Sequence, residues 1–497
     1  MSKYRFILLY AVLGLMFISC NDWLDVNPET EQKEKEQFSS YRGFCTALTG
    51  CYMAMGNTDA YGQKLTMSHI ESLAGLWYCE EKTYGEQSVN YYLKAHDYKQ
   101  DAVRDAIQTV YSKLFNIIVQ ANKIIANAEA NAEVFPDEAT RSVILGEAYA
   151  IRAYCQLDVL RLFGEVPNGK GEKVSLPYSE VTAFNDKIAR YDFAGYVEKL
   201  LVDLKKAETL LKDNDPVFKY SFGELNYPAN IELEDSYMGF RQSRLNYWAV
   251  KALQARVYLY TGRKEEAYVA AKAVIDATNA DGEPMMGLTG DEDRTAGYNA
   301  CPNECLFYLS KYDVKTVAQI LIGGADVDAR ADNLYITLKR LNNELFPENK
   351  DSDTRYTTGW NKNLKSYGKS GFAAVKKYYF ADDAEDLALY YQIIPMLRMS
   401  EMYLIAIETT ADVEEANSLY ADYLLYGCGV ALNDEVFDAQ TVRTDILLPE
   451  YRREFFAEGQ MFYAYKRTGA STMLWCDGKI TDEMYVLWNC VNTEFNP

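Results

Sequence analysis

Aromatic side chains are concentrated in two stretches that lack regular hydrophobic periodicity, residues 57–100 and 280–390. Aromatic ring faces stack on the apolar C–H faces of sugar rings, and the same kind of surface also grips an extended peptide. We therefore predict ligand contacts for the aromatic residues Trp77, Tyr78, Tyr84, Tyr91, Tyr92, Tyr298, Trp360 and Tyr378. The alternative is that most of them belong to the core, because the chain contains 41 Tyr and many of these must be buried.

Residue types that commonly carry catalysis are scarce or wrongly spaced. The chain has 2 His, His69 and His96, which leaves little basis for a histidine-dependent catalytic site or a zinc site. Adjacent carboxylates such as Glu80 and Glu81 lack the separation across a cleft that a glycosidase needs. The stretch SYGKSG (366–371) lacks the first Gly of a phosphate-binding loop and is interpreted as a turn. We therefore expect no enzymatic activity and no cofactor.

Two short stretches contain groups that bind metal ions in other proteins. The stretch GDEDRTAGYN (290–299) supplies carboxylates but lacks the alternating ligand spacing of a calcium loop, so we interpret it as a solvated acidic turn. The stretch CPNEC places Cys301 and Cys305 close together, but no second pair of zinc ligands lies nearby in the sequence. The two thiols are expected either to form a local disulfide or to stay half-buried, and no metal site is predicted.

The N-terminus has the pattern of an export signal that ends at a lipid-modified cysteine. Two positive residues precede the apolar run Ile7–Ile18, which is too short to span a bilayer comfortably. We predict that residues 1–19 are a signal peptide, that Cys20 is lipidated, and that residues 20–35 form a tether to the folded part. A simple secretory signal with an incidental cysteine, or an uncleaved anchor, is the alternative.

The charge balance argues against two classes of partner. The formal net charge is −21, with 72 acidic against 51 basic residues. A field of this sign repels phosphate backbones and anionic lipid headgroups. We therefore expect no nucleic-acid binding and no docking on lipid through a basic patch. The length of 497 residues suits several lobes or a repeat array.

Helical periodicity dominates the remaining sequence. Apolar residues recur at spacings of three and four from Asp101 to Ala130, and similar patterns predict helices over Arg141–Phe163 and Phe193–Leu211. Strand-like alternation is confined to short segments such as Cys305–Ser310 and Ala374–Phe380. A mostly α-helical fold is therefore predicted.

Residues 246–279 predict a helix, a tight turn at Gly262 and a second helix. The spacing of Ala255, Tyr258 and Ala267 fits the small–aromatic–small pattern of a tetratricopeptide repeat, in which Ala lets two helices approach closely. We expect tetratricopeptide-like helices over about residues 101–163, 193–211, 243–279 and 395–425, with long loops projecting from them.

A series of segments follows the pattern of one known family in the family's own order: CNDWLDVNPET, VYSKLFNIIVQANKII, GEAYAIRAYCQLDVLRLFGEVP, ALQARVYLYTGRKEEA, IPMLRMSEMYLIAIE and LLPEYRREFFAEGQMFYAYKRTG. Together they resemble the SusD/RagB family of Bacteroidetes outer-membrane lipoproteins and cover nearly the whole chain. The last segment is the most specific, since its pattern includes Arg452, Arg453, Glu454, Phe455, Phe456, Glu458, Gly459, Phe462, Lys466 and Arg467.

The resemblance implies a SusD-like fold over residues 36–497, with four tetratricopeptide-like helix pairs as the scaffold. An irregular, loop-rich part, about residues 57–100 and 280–390, would then bind ligand. Members are anchored by lipid in the outer membrane, face the cell exterior, bind a nutrient and deliver it to a SusC-like TonB-dependent transporter without cleaving it. For this chain the expected ligand is an oligosaccharide or polysaccharide. A peptide ligand, as in RagB-like proteins, or a transporter lid with little ligand affinity is the alternative.

The Arg and Glu residues near the C-terminal end invite a functional interpretation as a carboxylate-binding cluster. We instead predict that Arg398, Glu401 and the charged residues of the last segment form ion pairs that hold helices together, because a guanidinium satisfies several acceptors at once. We expect these residues to mark the family rather than to touch the ligand.

Overall fold

A computed structural model describes residues 29–82, 86–183, 186–279, 282–322, 333–366, 368–378 and 392–491. The predicted signal peptide, Cys20 and the first part of the predicted tether lie outside these ranges. Within them, we find no helix that combines the length and the apolar character needed to cross a membrane.

Helices account for most of the regular structure. The α-helices are α1 (Glu29–Gln37), α2 (Tyr41–Met55), α3 (His69–Leu73), α4 (Val89–Lys94), α5 (Asp101–Ala130), α6 (Glu138–Phe163), α7 (Phe193–Leu211), α8 (Phe222–Leu225), α9 (Tyr247–Tyr260), α10 (Lys264–Ile275), α11 (Asp291–Thr295), α12 (Val314–Leu321), α13 (Leu338–Arg340), α14 (Thr354–Thr357), α15 (Met399–Thr409), α16 (Val413–Cys428), α17 (Arg443–Glu454) and α18 (Met461–Thr468). The strands are β1 (Leu176–Tyr178), β2 (Ala189–Tyr191), β3 (Cys305–Ser310), β4 (Ile336–Thr337), β5 (Trp360–Ser366), β6 (Lys369–Val375) and β7 (Ile393–Arg398).

The long helices lie where the periodicity predicts them. Helices α5 and α7 match their predicted ranges at both ends. Helix α6 begins earlier than predicted, at Glu138, because the Asp137 side chain accepts a hydrogen bond from the Thr140 N–H at 2.7 Å and caps the first turn. The predicted hairpins over 243–279 and 395–425 are also confirmed, as α9–α10 and α15–α16.

The scaffold is a stack in which each long helix packs on the next. Helix α6 lies between α5 and α7, α9 contacts α7 and α10, and α10 contacts α15, which pairs with α16. Gly262 makes the predicted turn between α9 and α10 with a φ of 76°, a conformation that glycine adopts without strain. Buried ion pairs of 2.6 and 2.7 Å join neighbouring helices, Arg152 to Asp203 and Arg256 to Glu401.

The strands form small antiparallel sheets. Strand β3 pairs with β7, β1 pairs with β2, and β6 lies between β4 and β5. The predicted strand Cys305–Ser310 is confirmed as β3. The candidate strand over Ala374–Phe380 is part of β6 as far as Val375; residues 376–378 are outside the strand, and Tyr379 and Phe380 lie outside the described residues. The stretch SYGKSG joins β5 to β6 through Gly368, whose φ is 74°, as the turn interpretation predicts.

The CPNEC cysteines are free thiols in the structure, and both are buried. The Cys305 Sγ lies 3.2 Å from the Cys301 carbonyl oxygen, so it is held by backbone contacts and not by a disulfide. The expectation of half-buried thiols is also wrong, because β3 packs into the interior directly after this turn. In the adjacent acidic stretch, Asp291–Thr295 form the short helix α11.

A tight turn between α17 and α18 lies in the interior of the molecule. Its Gly459 has a φ of 74°, and a Cβ at this position would stand 2.1 Å from the Leu65 carbonyl oxygen. The N–H of Gly459 donates to the buried carboxylate of Glu71 at 2.8 Å. Two constraints, a left-handed conformation and the lack of space, therefore demand glycine here.

We expect the substitution Gly459→Ala to destabilise the protein strongly. The left-handed conformation alone costs an alanine about 1 kcal/mol, and displacement of the Leu65 backbone raises the total above about 3 kcal/mol. Urea unfolding followed by circular dichroism measures the difference. Gly469→Ala is the matched control, since Gly469 has a φ of 62° but open space around its Cβ position. Equal losses in the two variants would contradict the steric argument.

Candidate functional site

Three of the predicted ligand residues are instead buried around Phe456 and Ala457, in a cluster that we call the hub. Trp77, Trp360 and Tyr378 are only 0%, 5% and 1% exposed. The rings of Trp77 and Trp360 lie edge-on to Phe456, with centroid distances of 4.9 and 5.0 Å. The Tyr378 hydroxyl donates to the Ala457 carbonyl oxygen at 2.8 Å. This corrects the predicted ligand contacts for these three residues, because their rings are enclosed by the core.

A buried carboxyl group holds the hub in place. Glu71 accepts hydrogen bonds from the Ala457 and Gly459 N–H groups, each at 2.8 Å. Burial raises the pKa of Glu71 to about 8, although these N–H groups favour its charged form. The Trp77 indole N–H donates to the Met67 carbonyl oxygen at 2.9 Å. These hydrogen bonds hold the segment from Glu71 to Trp77, directly before Tyr78, against the interior of the protein.

Tyr78 is the predicted residue around which an accessible site forms. Its ring is half-buried and lies 5.9 Å from the ring of Tyr335 and 6.0 Å from that of Phe372. Its backbone N–H donates to the Tyr335 carbonyl oxygen at 2.9 Å. Its hydroxyl donates to Glu80 Oε1 at 2.7 Å. These contacts join the first irregular region of the chain, 57–100, to the middle one, 280–390.

Arg340 lies over the ring of Tyr78, and the buried ring of Trp475 packs behind the guanidinium. The Arg340 guanidinium lies between two rings, 5.5 Å from the centroid of Tyr78 and 5.0 Å from that of Trp475. Its Nη1 is buried and has no hydrogen-bond partner among the described residues. The Trp475 indole N–H donates to Glu344 Oε2 at 2.6 Å. The surface thus combines aromatic faces with a guanidinium donor that has unused hydrogen-bonding capacity.

A second cation borders the same surface. Lys94, the last residue of α4, donates through Nζ to the Trp77 carbonyl oxygen at 3.0 Å. Burial, and after it the charge of Arg340, lowers the pKa of Lys94. Burial also lowers the pKa of Arg340. We refer to Tyr78, Lys94, Arg340, Phe372 and Trp475 as the aromatic–cation site.

The remaining predicted residues lie on α4, beside α11 or outside the described residues. Tyr91 and Tyr92 are on α4, the helix that ends at Lys94, and their half-buried rings are 5.6 Å apart. Tyr298 lies beside α11, where its N–H donates to the Asp293 carbonyl oxygen at 3.0 Å. Tyr84 lies outside the described residues. Ligand contact by Tyr91, Tyr92 and Tyr298 stays a prediction.

Sequence reasoning missed most of this site. Arg340 and Phe372 are single residues in a long irregular stretch, and nothing in their local sequence marks them. Trp475 offered a usable signal, because it is one of 6 Trp and lies in the irregular tail after Gly469. The rule that selected aromatic residues in the earlier loops also selects Trp475 when it is applied to this tail.

Charged residues near the C-terminal end form a buried network around Arg398. Its guanidinium donates to Glu454 Oε1 at 2.7 Å, to Glu458 at 2.8 and 3.0 Å, and also to Glu304. Although burial raises it, the Arg398 guanidinium holds the pKa of Glu454 well below its ordinary value. Arg256 takes Glu401 as its partner. The prediction that these residues join structural elements is therefore confirmed.

Part of the chain matches one protein family and curated proteins of the same kind. Residues 22–222 match the family SusD-like_3, described as "Starch-binding associating with outer membrane". SusD-like proteins P2 and P25 of Formosa agariphila are 25% and 21% identical over 216 and 259 residues, which cover 43% and 52% of this chain. These matches span 39% and 43% of the two relatives, less than half of their length.

Solved structures with the same fold cover almost the whole chain. A SusD superfamily protein from Bacteroides thetaiotaomicron superimposes with a TM-score of 0.67 at 21% identity, covering 91% of this chain and 93% of that one. A laminarin-binding SusD-like protein superimposes with a TM-score of 0.58 at 14% identity, covering 86% and 92%. The mostly helical fold predicted from the sequence is the fold of these proteins.

Proposed function

We propose that this chain belongs to the SusD-like family, whose model matches residues 22–222, and that it binds a glycan at the cell surface through the aromatic–cation site. The family is carbohydrate-binding and associated with the outer membrane. A glycan ligand for this particular chain, its display on the outside of the cell and its delivery to a transporter are our proposals.

One observation carries the assignment of the site: the guanidinium of Arg340 between the rings of Tyr78 and Trp475, with a buried Nη1 that lacks a partner among the described residues. Stacking on an aromatic face requires an apolar surface on the ligand, and a sugar ring supplies it through its C–H groups. The guanidinium of the half-buried Arg340 side chain requires oxygen acceptors, and sugar hydroxyl groups supply them. A sugar satisfies both requirements together.

The structural setting of the site suits binding without cleavage. The rings of Tyr78 and Phe372 pack against the buried ring of Tyr335, and Trp77, which precedes Tyr78 in the chain, is fixed by its contact with Phe456. A preformed surface of this kind loses little conformational entropy when a ligand stacks on it. We propose that the chain holds its ligand unchanged, so that incubation with a glycan releases no new reducing ends.

We further propose that the ligand is delivered to a SusC-like TonB-dependent transporter and that Cys20 carries the lipid anchor. The lipoprotein pattern at Cys20 and the family's description as outer-membrane-associated support this. Co-purification of the membrane-extracted protein with a TonB-dependent transporter, lost in Cys20→Ala, is the expected result.

Isothermal titration calorimetry of the full-length protein in detergent tests the glycan proposal. We expect saturable binding to at least one member of a panel of plant, host and microbial oligosaccharides. Binding of peptides but not of glycans would replace the proposal with the peptide-binding alternative. Co-purification with a transporter without affinity for either class of ligand would instead favour the lid alternative.

A further inference from the structure

The β5–β6 hairpin carries an unusual local charge. Residues 360–378 contain Lys362, Lys365, Lys369, Lys376 and Lys377 and no acidic residue, whereas the whole chain has a formal net charge of −21. Lys377 is paired with Glu458 inside the protein. For the other lysines of the hairpin, the described residues provide no carboxylate within ion-pair distance. Within the part of the chain that the structure describes, the hairpin therefore carries a local positive charge next to Phe372 of the aromatic–cation site.

The strand register places Lys369 on the face of the site. Leu364 is paired with Phe372, and Ser366 is paired with Lys369. Leu364 and Ser366 are two residues apart on β5 and both are buried, so they point to one face of the sheet. Their cross-strand partners share that face. Lys369 and Phe372 therefore project toward the side on which Tyr78 packs.

Lys365 belongs to the opposite face of the same hairpin. It follows Leu364 on β5 and is exposed, and side chains alternate along a strand. A register irregularity at Gly371, which has a φ of 118°, lets Lys365 pair with Ser370 while Leu364 pairs with Phe372. Lys365 and Lys369 thus have the same charge and similar exposure but lie on different sides of the sheet.

Neither cation of the site has a described carboxylate within ion-pair distance, although the charges of Glu344 and Asp477 act on Arg340 and that of Asp477 acts on Lys94. Lys94 donates to a backbone carbonyl oxygen, and Arg340 packs between rings. The carboxylates that border the surface, Glu80 and Glu344, accept hydrogen bonds from the neutral donors of Tyr78 and Trp475. Two neighbouring cations that form no direct ion pair with a described residue are stabilised when an anion binds between them.

We propose that the glycan bound at this site carries negative charges, as carboxylate or sulfate groups, which are received by Arg340, Lys94 and Lys369. This inference rests on the proposed glycan-binding function. A planar guanidinium forms paired hydrogen bonds with a carboxylate or a sulfate oxygen pair, and the flexible ammonium groups add charge without a fixed direction. The half-buried rings of Tyr78 and Phe372 bind the sugar faces between the charged groups.

Titrations with size-matched hexasaccharides test the inference. The probes are an oligogalacturonate for carboxylate, a carrageenan oligosaccharide for sulfate, and the neutral laminarihexaose and maltohexaose. We expect an acidic probe to bind more tightly than either neutral probe and to lose affinity as salt is raised. Lys369→Gln is expected to weaken acidic-probe binding roughly threefold at low salt, whereas the matched variant Lys365→Gln leaves it unchanged.

The possible outcomes separate this inference from the proposed function. Preference for one acidic probe identifies its charged group as the one recognised. Binding of a neutral probe with no acidic preference, and equal behaviour of the two lysine variants, would overturn the inference while leaving glycan binding intact. Failure of every glycan, neutral or acidic, would overturn the proposed function itself.

Discussion

Replacing Tyr78 by Ala is expected to weaken glycan binding about thirtyfold, which corresponds to roughly 2 kcal/mol of binding free energy. The ring of Tyr78 packs against Phe372 and supports the guanidinium of Arg340, so the substitution removes a stacking face and loosens a hydrogen-bond donor together. Because the ring is half-buried at the edge of the core, the fold should survive its loss. Calorimetry with the best ligand of the panel measures the change.

Two control variants sharpen this prediction. Tyr78→Phe keeps the ring and removes only the hydroxyl that donates to Glu80, so it should retain most of the affinity. Phe218→Ala removes a ring that is 38% exposed and that packs 4.8 Å from Tyr247 in a separate aromatic cluster. Loss of binding in Phe218→Ala, with full affinity in Tyr78→Ala, would move the site to that cluster and contradict our assignment.

Replacing Arg398 by Met is expected to destabilise the fold by about 3–5 kcal/mol, because it leaves buried carboxylates without their cation. Glu304, Glu454 and Glu458 all accept hydrogen bonds from this guanidinium, and all three are buried. A loss of this size is a large share of the net stability of an ordinary domain. Equilibrium unfolding in urea, followed by circular dichroism, measures it.

Arg141→Met is the matched control for this experiment. Arg141 forms an ion pair of 2.8 Å with Glu138, whose side chain is largely exposed. Solvent screens this pair, so its loss should cost less than about 1 kcal/mol. If the two variants lose similar stability, the Arg398 network does not hold the fold in the way that its geometry indicates.

The candidate site was harder to predict from the sequence than the fold. Tyr78 and Trp77 are adjacent and both aromatic, yet Tyr78 borders the surface whereas Trp77 is fully buried against Phe456. Nothing in the local sequence separates them, because the difference comes from a partner almost four hundred residues away. Burial is a property of the assembled fold, so loop position alone could not rank these residues.

The sequence by itself determined the elements whose stability is local. Hydrophobic spacing set the bounds of α5 and α7, with the Asp192 side chain capping α7, and the Gly262 turn joined α9 to α10 as predicted. Helix formation depends on neighbours within a few residues. The tertiary structure alone decided the site. It brings Arg340, Phe372 and Trp475 to Tyr78 from distant parts of the chain, and it encloses Trp360 and Tyr378 in the hub. These contacts are long-range, so the packing of the whole chain was needed to reveal them.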